Sequence, residues 1–425
     1  MQVLKLYYLL PLFLVTGPFL PDLLISTTSL FFLYYFVSKN KKYLKTRYFY
    51  IFLIVYSIFL FSSLNSFNFM FSLKSSLPYF RFFLFPLIIY FLLEKEILNL
   101  KLIYKILIFI IVTLSLDGIF QFITGSNIIG LKSPLDYRVT SFFGDEAILG
   151  SYLSKILPLV ISIYIFLDHK KSKENKYLFY LTILLSFICI FISGDRMPFG
   201  TIILYLILIN IIIFDYKKLI SSLLICSILF ILMLSNNILN NRYINMTLIQ
   251  VFEKSVKYDD KFQVDHNNIK DKLDFNYQSL NNSKLLFFSK SHHEHFKAAY
   301  SIFKKNKYIG SGPNTFRLNC QKKFYEHNHK CTSHPHNIYI QLLSETGLIG
   351  FICIFSFLLY FIYKILINFK VKNKIQSYIF IHLFIMIFPI STYGNFFNNY
   401  NSIIMFFPVG FYLYMLAHTK NHKFK

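Results

Sequence analysis

Twelve apolar runs punctuate this 425-residue chain, near residues 5–19, 20–38, 48–65, 78–93, 102–123, 146–167, 177–193, 198–214, 219–235, 347–368, 376–392 and 400–417. Each approaches the ~20 residues that an α-helix needs to cross a bilayer, and a soluble core has no room for so many. The chain therefore reads as an all-α, polytopic integral membrane protein with about twelve transmembrane helices. Composition agrees, with 55% hydrophobic residues and a mean hydropathy of +0.50. The first run has no small-residue cleavage site behind it and leads at once into the second, so it is expected to stay as a span. Pro18, Pro21, Pro86, Pro158 and Pro389 fall within or between the runs, where membrane helices tolerate them as kinks.

The formal charge of +24 would suggest nucleic acid in a soluble protein. Here much of it sits in short connections, at 39–47, 94–101, 169–176, 215–218 and 370–374, and in the tail HTKNHKFK. All of these fall on one side if the chain starts inside, as lysine-rich loops should. The layout is then a bundle over 1–235, an outward-facing loop over 236–346, and three last spans with a cytoplasmic tail over 347–425. No nucleic-acid partner is expected, and no P-loop, dinucleotide motif or repeat points to a nucleotide cofactor.

Chemistry-bearing residues concentrate in and just after that loop. Residues 253–284 are Asp-, Asn- and Lys-rich and poor in large apolar side chains, which predicts no core of their own. From His292 helical spacing returns, with Phe296, Ala299 or Tyr300, and Phe303 expected on one face. GSGPNTF then supplies turn residues, and SHPHNIYIQLLSETGLIG leads into the tenth run. On one continuous helix His336, Ile340, Leu343, Gly347 and Gly350 share a face, flanked by Asn337, Gln341 and Glu345. The two glycines would let a neighbouring helix approach closely. A capped loop before a membrane helix accounts equally for the pattern.

The chain carries only six arginines, at 47, 81, 138, 196, 242 and 317, and five are placed at or beyond the outer face. In a chain that otherwise uses lysine, this suggests sites where a planar fork grips phosphate or carboxylate at two points; snorkelling at span ends is the plainer account. Arg196, in the hairpin SGDRMPFG, is the best placed. Cys320 and Cys331 lie eleven apart in an oxidising compartment and are expected to pair, while Cys189, Cys226 and Cys353 read as core. Cys320, His327, His329, Cys331, His334 and His336 crowd together, yet their spacing fits no standard zinc pattern, so no metal is expected. A lipid-linked glycan transporter would instead put its ionisable groups inside the spans, where Asp117 and His382 are the main candidates.

The order His336-Asn337, nine residues, Gly347, two residues, Gly350 resembles the H-N-x9-G-x2-G pattern of the O-antigen ligases and the wider O-antigen ligase and polymerase superfamily. RVTSFFGDEAILGSYL at 138–153, SGDRMPFG at 193–200 and AAYSIFKKNKYIGSGPNTF at 298–316 resemble other blocks of those proteins, in the same order. The resemblance implies a glycosyltransferase of the bacterial inner membrane that needs neither metal nor nucleotide. It would move a glycan from undecaprenyl diphosphate to lipid A core, or to another glycan in a polymerase, at the periplasmic face. It implies that His336 activates the acceptor hydroxyl and Arg196 binds the donor diphosphate, with Asn337, Arg138, Arg317 and Arg81 as further substrate contacts. One departure stands out. Where relatives often carry a second arginine, before the G-x-G-P block, this chain has His292, His293 and His295, which leaves Arg138 or Arg317 to supply that contact.

Overall fold

The structure is a computed structural model that describes residues 3–135, 137–167, 173–213, 228, 231, 235–245, 252–253, 284–285, 290–320, 332–371 and 373–419. Its architecture is helical. The first helices are α1 (Leu10–Thr16), α2 (Phe19–Ser38), α3 (Arg47–Leu64), α4 (Phe69–Ser76), α5 (Phe80–Glu94), α6 (Leu100–Thr124), α7 (Leu149–Phe166), α8 (Lys173–Ile192) and α9 (Arg196–Ile213). The short α10 (Asn237–Asn240) follows, then α11 (Lys290–Lys305), α12 (Phe316–Cys320), α13 (Ile338–Glu345), α14 (Gly347–Val371), α15 (Lys374–Met386) and α16 (Asn399–Thr419). A two-residue antiparallel ladder joins Phe252–Glu253 to Lys284–Leu285.

Seven helices among the described residues are long and apolar enough to cross a membrane, with α4 and α5 counted as one, and α8, α9 and α15 are shorter apolar helices. The described residues thus hold seven such helices and three shorter ones, and do not by themselves establish the expected twelve spans. The first run is broken into a 3-10 turn, Val3–Tyr8, and the seven-residue α1, which Gly17 (φ +126°) and Pro18 end. The ninth run lies mostly outside the described residues. Large apolar side chains face outward from the bundle, with Tyr34 72%, Phe109 71% and Ile123 76% exposed. Such faces are stable only against lipid or a partner.

Inside the bundle, glycine permits close helix approach at places the sequence did not flag. A Cβ at Gly410 of α16 would sit 2.5 Å from Ile89 Cβ of α5, and one at Gly118 of α6 would sit 2.7 Å from Cys189 Sγ of α8. Polar side chains tie the helix ends together. Arg81 donates through Nε to Asp22 Oδ1 (2.9 Å), through Nη1 to the Pro78 carbonyl and through Nη2 to Asn399 Oδ1. Asn399 Nδ2 in turn reaches Asp22 Oδ2, so this trio bolts α2, α5 and α16. Asp117 and Gln121, one turn apart on α6, hold the loop that follows. Asp117 accepts from Ile128 N and the Ser141 hydroxyl, and Gln121 Oε1 accepts from Thr140 N and Ser141 N.

Residues 290–320 make a small second core, in which Ala298, Ala299, Ile302, Phe316 and Cys320 are buried against Ile340 of α13. The buried stripe of α11 is His295, Ala298, Ala299 and Ile302, while Tyr300 is exposed. The expected face is thus shifted by one residue, because alanines rather than aromatics make the close contact with α13.

Candidate active site

The site is built on a helix break. Residues 336–350 do not form one helix. α13 stops at Glu345 and α14 starts at Gly347, whose φ of +69° a side-chain-bearing residue rarely adopts. The loop 307–312 fills the notch. Carbonyls at the end of α13 accept from Ser311 N (Ser344 O, 3.1 Å) and Gly312 N (Glu345 O, 2.8 Å), and the opening N–H groups of α14 donate to Lys307 O (Leu348 N, 2.8 Å) and Tyr308 O (Ile349 N, 3.2 Å). The groups that a helix break orphans are thereby satisfied by one loop. A Cβ on Gly347 would meet Tyr308 O at 2.3 Å, and one on Gly310 would meet the backbone of Glu345 at 2.4 Å. These glycines admit a loop, not a neighbouring helix. Gly350 faces the Thr346 side chain of its own chain segment.

Glu345 locks the junction from within. It is fully buried, and its carboxylate accepts from Phe316 N (2.8 Å) and Gln341 Nε2 (2.9 Å). Burial pushes its carboxyl up to about 7. The loop after α15 closes the other flank, where Gln341 Oε1 accepts from Phe396 N and Gln341 Nε2 donates to Asn395 Oδ1.

His336 precedes α13 and shares no face with it. Its φ is +59°, a conformation that non-glycine residues hold only where the surroundings enforce it. Bonds on either side of it enforce it here. Tyr393 N donates to the His336 carbonyl (2.9 Å), and Asn337 caps α13 by accepting from Tyr339 N (3.0 Å) and Ile340 N (3.2 Å) while Nδ2 donates to Pro389 O (2.7 Å). Asn337, anticipated as a substrate contact, is occupied at both ends of its amide and instead positions its neighbour.

Three more imidazoles surround His336. Ring centroids lie 4.1 Å away for His334 and 5.6 Å for both His292 and His295. His334 is fixed, because its Nε2 faces the Tyr393 carbonyl (3.2 Å), which can only accept, so Nδ1 takes the Ser333 hydroxyl hydrogen (2.8 Å). Burial first, then the charges of neighbouring histidines, pull His336 down to about 4. His334 is also held at about 4, chiefly by burial, and His292 is lowered by burial, then by His295 and Arg196. Near neutral pH His334 and His336 are therefore uncharged. Among the described residues no group of three or more His, Cys, Asp or Glu is arranged to hold a metal ion.

Arg196 opens α9 beside this cluster, close enough for its charge to act on His292. The turn before it is clamped by two arginines that donate to the Gly194 carbonyl, Arg138 through Nη1 (3.0 Å) and Arg242 through Nε (2.9 Å). Arg138 also donates to Ala147 O (2.8 Å) and ion-pairs with Asp195. These bonds shape the hairpin, and Arg138 Nε is buried and unmatched. Arg81, expected as a substrate contact, bonds to Asp22 and Asn399 in this structure. Arg317 lines a cavity of about 610 Å³ together with His334 and Lys155; His336 and Arg196 are not among that cavity's walls. Cys320 is disulfide-bonded. Cys331, the partner expected from the sequence, lies outside the described residues, as do His327 and His329.

Sequence reasoning named His336 and Arg196, and noted His292, His295 and His334 without grouping them around His336. The signals were present, since His292 and His295 sit three apart on α11 and so share a face, and the Ser333-His334 pair precedes His336.

A family model described as O-antigen ligase matches residues 181–355, a span that contains Arg196, His292, His295, His334, His336 and Gly347, and supports the O-antigen ligase superfamily. No curated protein matches the chain.

Proposed function

Starting from that superfamily, whose members are generally glycosyltransferase-like, we propose that this membrane protein is an O-antigen ligase-type enzyme. It transfers a glycan from undecaprenyl diphosphate to lipid A core at the periplasmic face of the inner membrane. A polymerase, which extends a second lipid-linked glycan, shares the same donor chemistry.

The observation that carries the reading is the state of His336. Its ring makes no hydrogen bond among the described residues, it is partly open, and it is neutral well above its pKa of about 4. An unprotonated imidazole can take the proton of an acceptor hydroxyl as that oxygen attacks the anomeric carbon and the bond to the diphosphate breaks. A base with so low a pKa is weak, but a bound diphosphate would bring negative charge beside the cluster and raise its proton affinity. Arg196 stabilises the charge that collects on the departing diphosphate. His334, with both ring nitrogens committed, keeps His336 from rotating away.

The test is transfer from a synthetic undecaprenyl diphosphate glycan by purified variants. Replacing His336 with Ala should lower turnover by roughly 100-fold or more, the usual scale for a general base, with donor binding little changed. Arg196→Lys keeps charge but loses the planar fork, so donor binding and turnover should both weaken. Full activity of Arg196→Lys, or loss of donor binding by His336→Ala equal to its loss of transfer, would overturn this division of roles. A deletion strain that lacks all capped core supports a ligase, and core capped by a single repeat supports a polymerase.

A further inference from the structure

Two interruptions of the bundle line the same cavity. One is the break at Gly17–Pro18 between α1 and α2, and the other is the irregular segment between Met386 and Asn399 that separates α15 from α16. Irregular backbone at membrane depth is tolerated where it is buried in protein or lines a polar cavity, and in membrane proteins such broken helices commonly build binding sites. His334 forms part of the wall, and its ring lies 4.1 Å from that of His336.

Lys155 lies on another wall of this cavity. It is the seventh residue of α7, roughly 9 Å along the helix from its first residue at 1.5 Å per residue. A charge at such a position is costly unless it is paired or wetted. Among the described residues no carboxylate reaches Lys155 Nζ at ion-pair distance. Its recorded contact is the Tyr393 ring, 5.6 Å to the centroid, and Asp195, the nearby acid, is paired with Arg138. Arg317 adds a second cation to the cavity wall, against the single carboxylate of Glu146. Besides the imidazoles of His334 and His382, the polar lining includes neutral amides and hydroxyls such as Asn398, Asn401 and Ser391, with Tyr393 supplying an aromatic face. Excess positive charge, many neutral hydrogen-bonding groups and an aromatic ring match a sugar that bears an acidic substituent.

We propose that this cavity binds an anionic sugar unit, a sugar phosphate or a uronic acid, and that Lys155 recognises its negative group. The inference deepens the transferase reading by naming the glycan's chemistry, and it would set the sugar beside the His334–His336 pair. Either the donor glycan or the acceptor could supply that sugar.

The test is direct binding by the detergent-purified full chain, followed calorimetrically with glucose 6-phosphate, glucuronate, glucose and inorganic phosphate, so that it does not depend on transfer. Both acidic sugars should bind more tightly than glucose or phosphate alone. Lys155→Met should weaken the acidic sugars by roughly 10-fold or more, the scale of a hydrogen bond to a charged group, and leave glucose unchanged; Lys155→Arg should restore most of the loss. Equal binding to native protein and Lys155→Met, or phosphate binding as tightly as the sugar phosphate, would overturn the proposal. If Lys155→Met does not fold, Ser391→Ala and Asn401→Ala serve instead, and unchanged affinity for both acidic sugars in both variants would overturn it. Preloading with undecaprenyl diphosphate glycan assigns the source, since a donor sugar would displace the probe and an acceptor site would keep it. Failure of these binding arms alongside normal transfer would sink this inference and leave the transferase reading standing.

Discussion

Substituting alanine at Gly347 and, separately, at Gly350 distinguishes a docked loop from a helix–helix seam. At Gly347 the left-handed backbone costs an alanine about 1–2 kcal/mol. The added methyl would also lie 2.3 Å from Tyr308 O and 2.6 Å from Gly310 N, both main chain, so the loop must retreat. Retreat breaks the Leu348 N–Lys307 O and Ile349 N–Tyr308 O bonds, worth about 1 kcal/mol each. The sum is roughly 3–4 kcal/mol, a large part of the 5–15 kcal/mol that typically separates folded from unfolded. At Gly350 the added methyl would meet Thr346 Oγ1, which can turn away, and also Thr346 Cβ at 2.5 Å, which rotation about the side chain cannot move. Turning forfeits its bond to Leu342 O (2.7 Å), about 1 kcal/mol, offset by the ~1 kcal/mol that alanine gains over glycine inside a helix. Those two effects cancel, so what remains at Gly350→Ala is the crowding against Thr346 Cβ, a local strain within one chain segment that leaves the loop's bonds to α13 and α14 in place. Denaturant unfolding in detergent, with protease resistance of residues 290–320 followed in parallel, reads both. If Gly347→Ala came within ~1 kcal/mol of native, or if Gly350→Ala rather than Gly347→Ala exposed residues 290–320 to protease, the loop-in-notch account would fail.

Reduction of the Cys320 disulfide should destabilise the 290–320 unit by on the order of 3 kcal/mol if its partner is Cys331, given the short loop closed; peptide mapping of a linkage to another cysteine would refute that pairing. The acid limb of kcat/KM for transfer should fall near 4, since the neutral form of His336 acts as base and activity disappears as pH drops through its lowered pKa. In kcat, which reports the donor complex, the limb should move upward as the diphosphate raises that value, and a kcat/KM limb at 6.5 or above would contradict the assignment. Stability carries the opposite bookkeeping of protons. His334 and His336 are depressed from 6.5 to about 4, so between these values the unfolded chain binds protons that the folded one does not, and their contribution is lost as pH falls through that window. Glu345, raised to about 7, works the other way and loses its contribution as pH rises from about 4.5 toward 7. Thermal unfolding of His334→Asn should accordingly fall off less on acidification than that of the native protein, and an unchanged pH dependence would count against a buried neutral His334.

What could be read from the sequence was whatever depends on short-range chemistry. Apolar runs became helices because a helix satisfies all its backbone groups within one segment, as lipid requires. His336 and Arg196 stood out because each sits in a polar turn at the edge of an apolar run. The break at Thr346–Gly347 was hidden, since QLLSETGLIGF reads as one continuous amphipathic helix and becomes two only because residues 307–312 arrive to satisfy the severed ends. Arg81 and Arg138 looked like ligand-binding forks for the same reason. Their partners are Asp22 and Asn399 in one case and Gly194, Ala147 and Asp195 in the other, and only the folded chain brings these together.

The missed residues share a cause with the misread ones. Lys155 is a single cation in an apolar run, which on sequence grounds reads as a side chain snorkelling toward the surface. It takes on meaning only once Gly17–Pro18 and the segment before Asn399 are seen to open a cavity beside it. His334 likewise looks redundant next to His336 until Tyr393 is placed. The Tyr393 carbonyl fixes the His334 tautomer and the Tyr393 amide holds the carbonyl of His336, so one residue of an interrupted span sets two imidazoles at once. The interruption that opens the cavity is thus the same one that orients the base. A substitution that let residues 387–398 wind into a regular helix would be expected to close the binding space and release His336 from its left-handed backbone together.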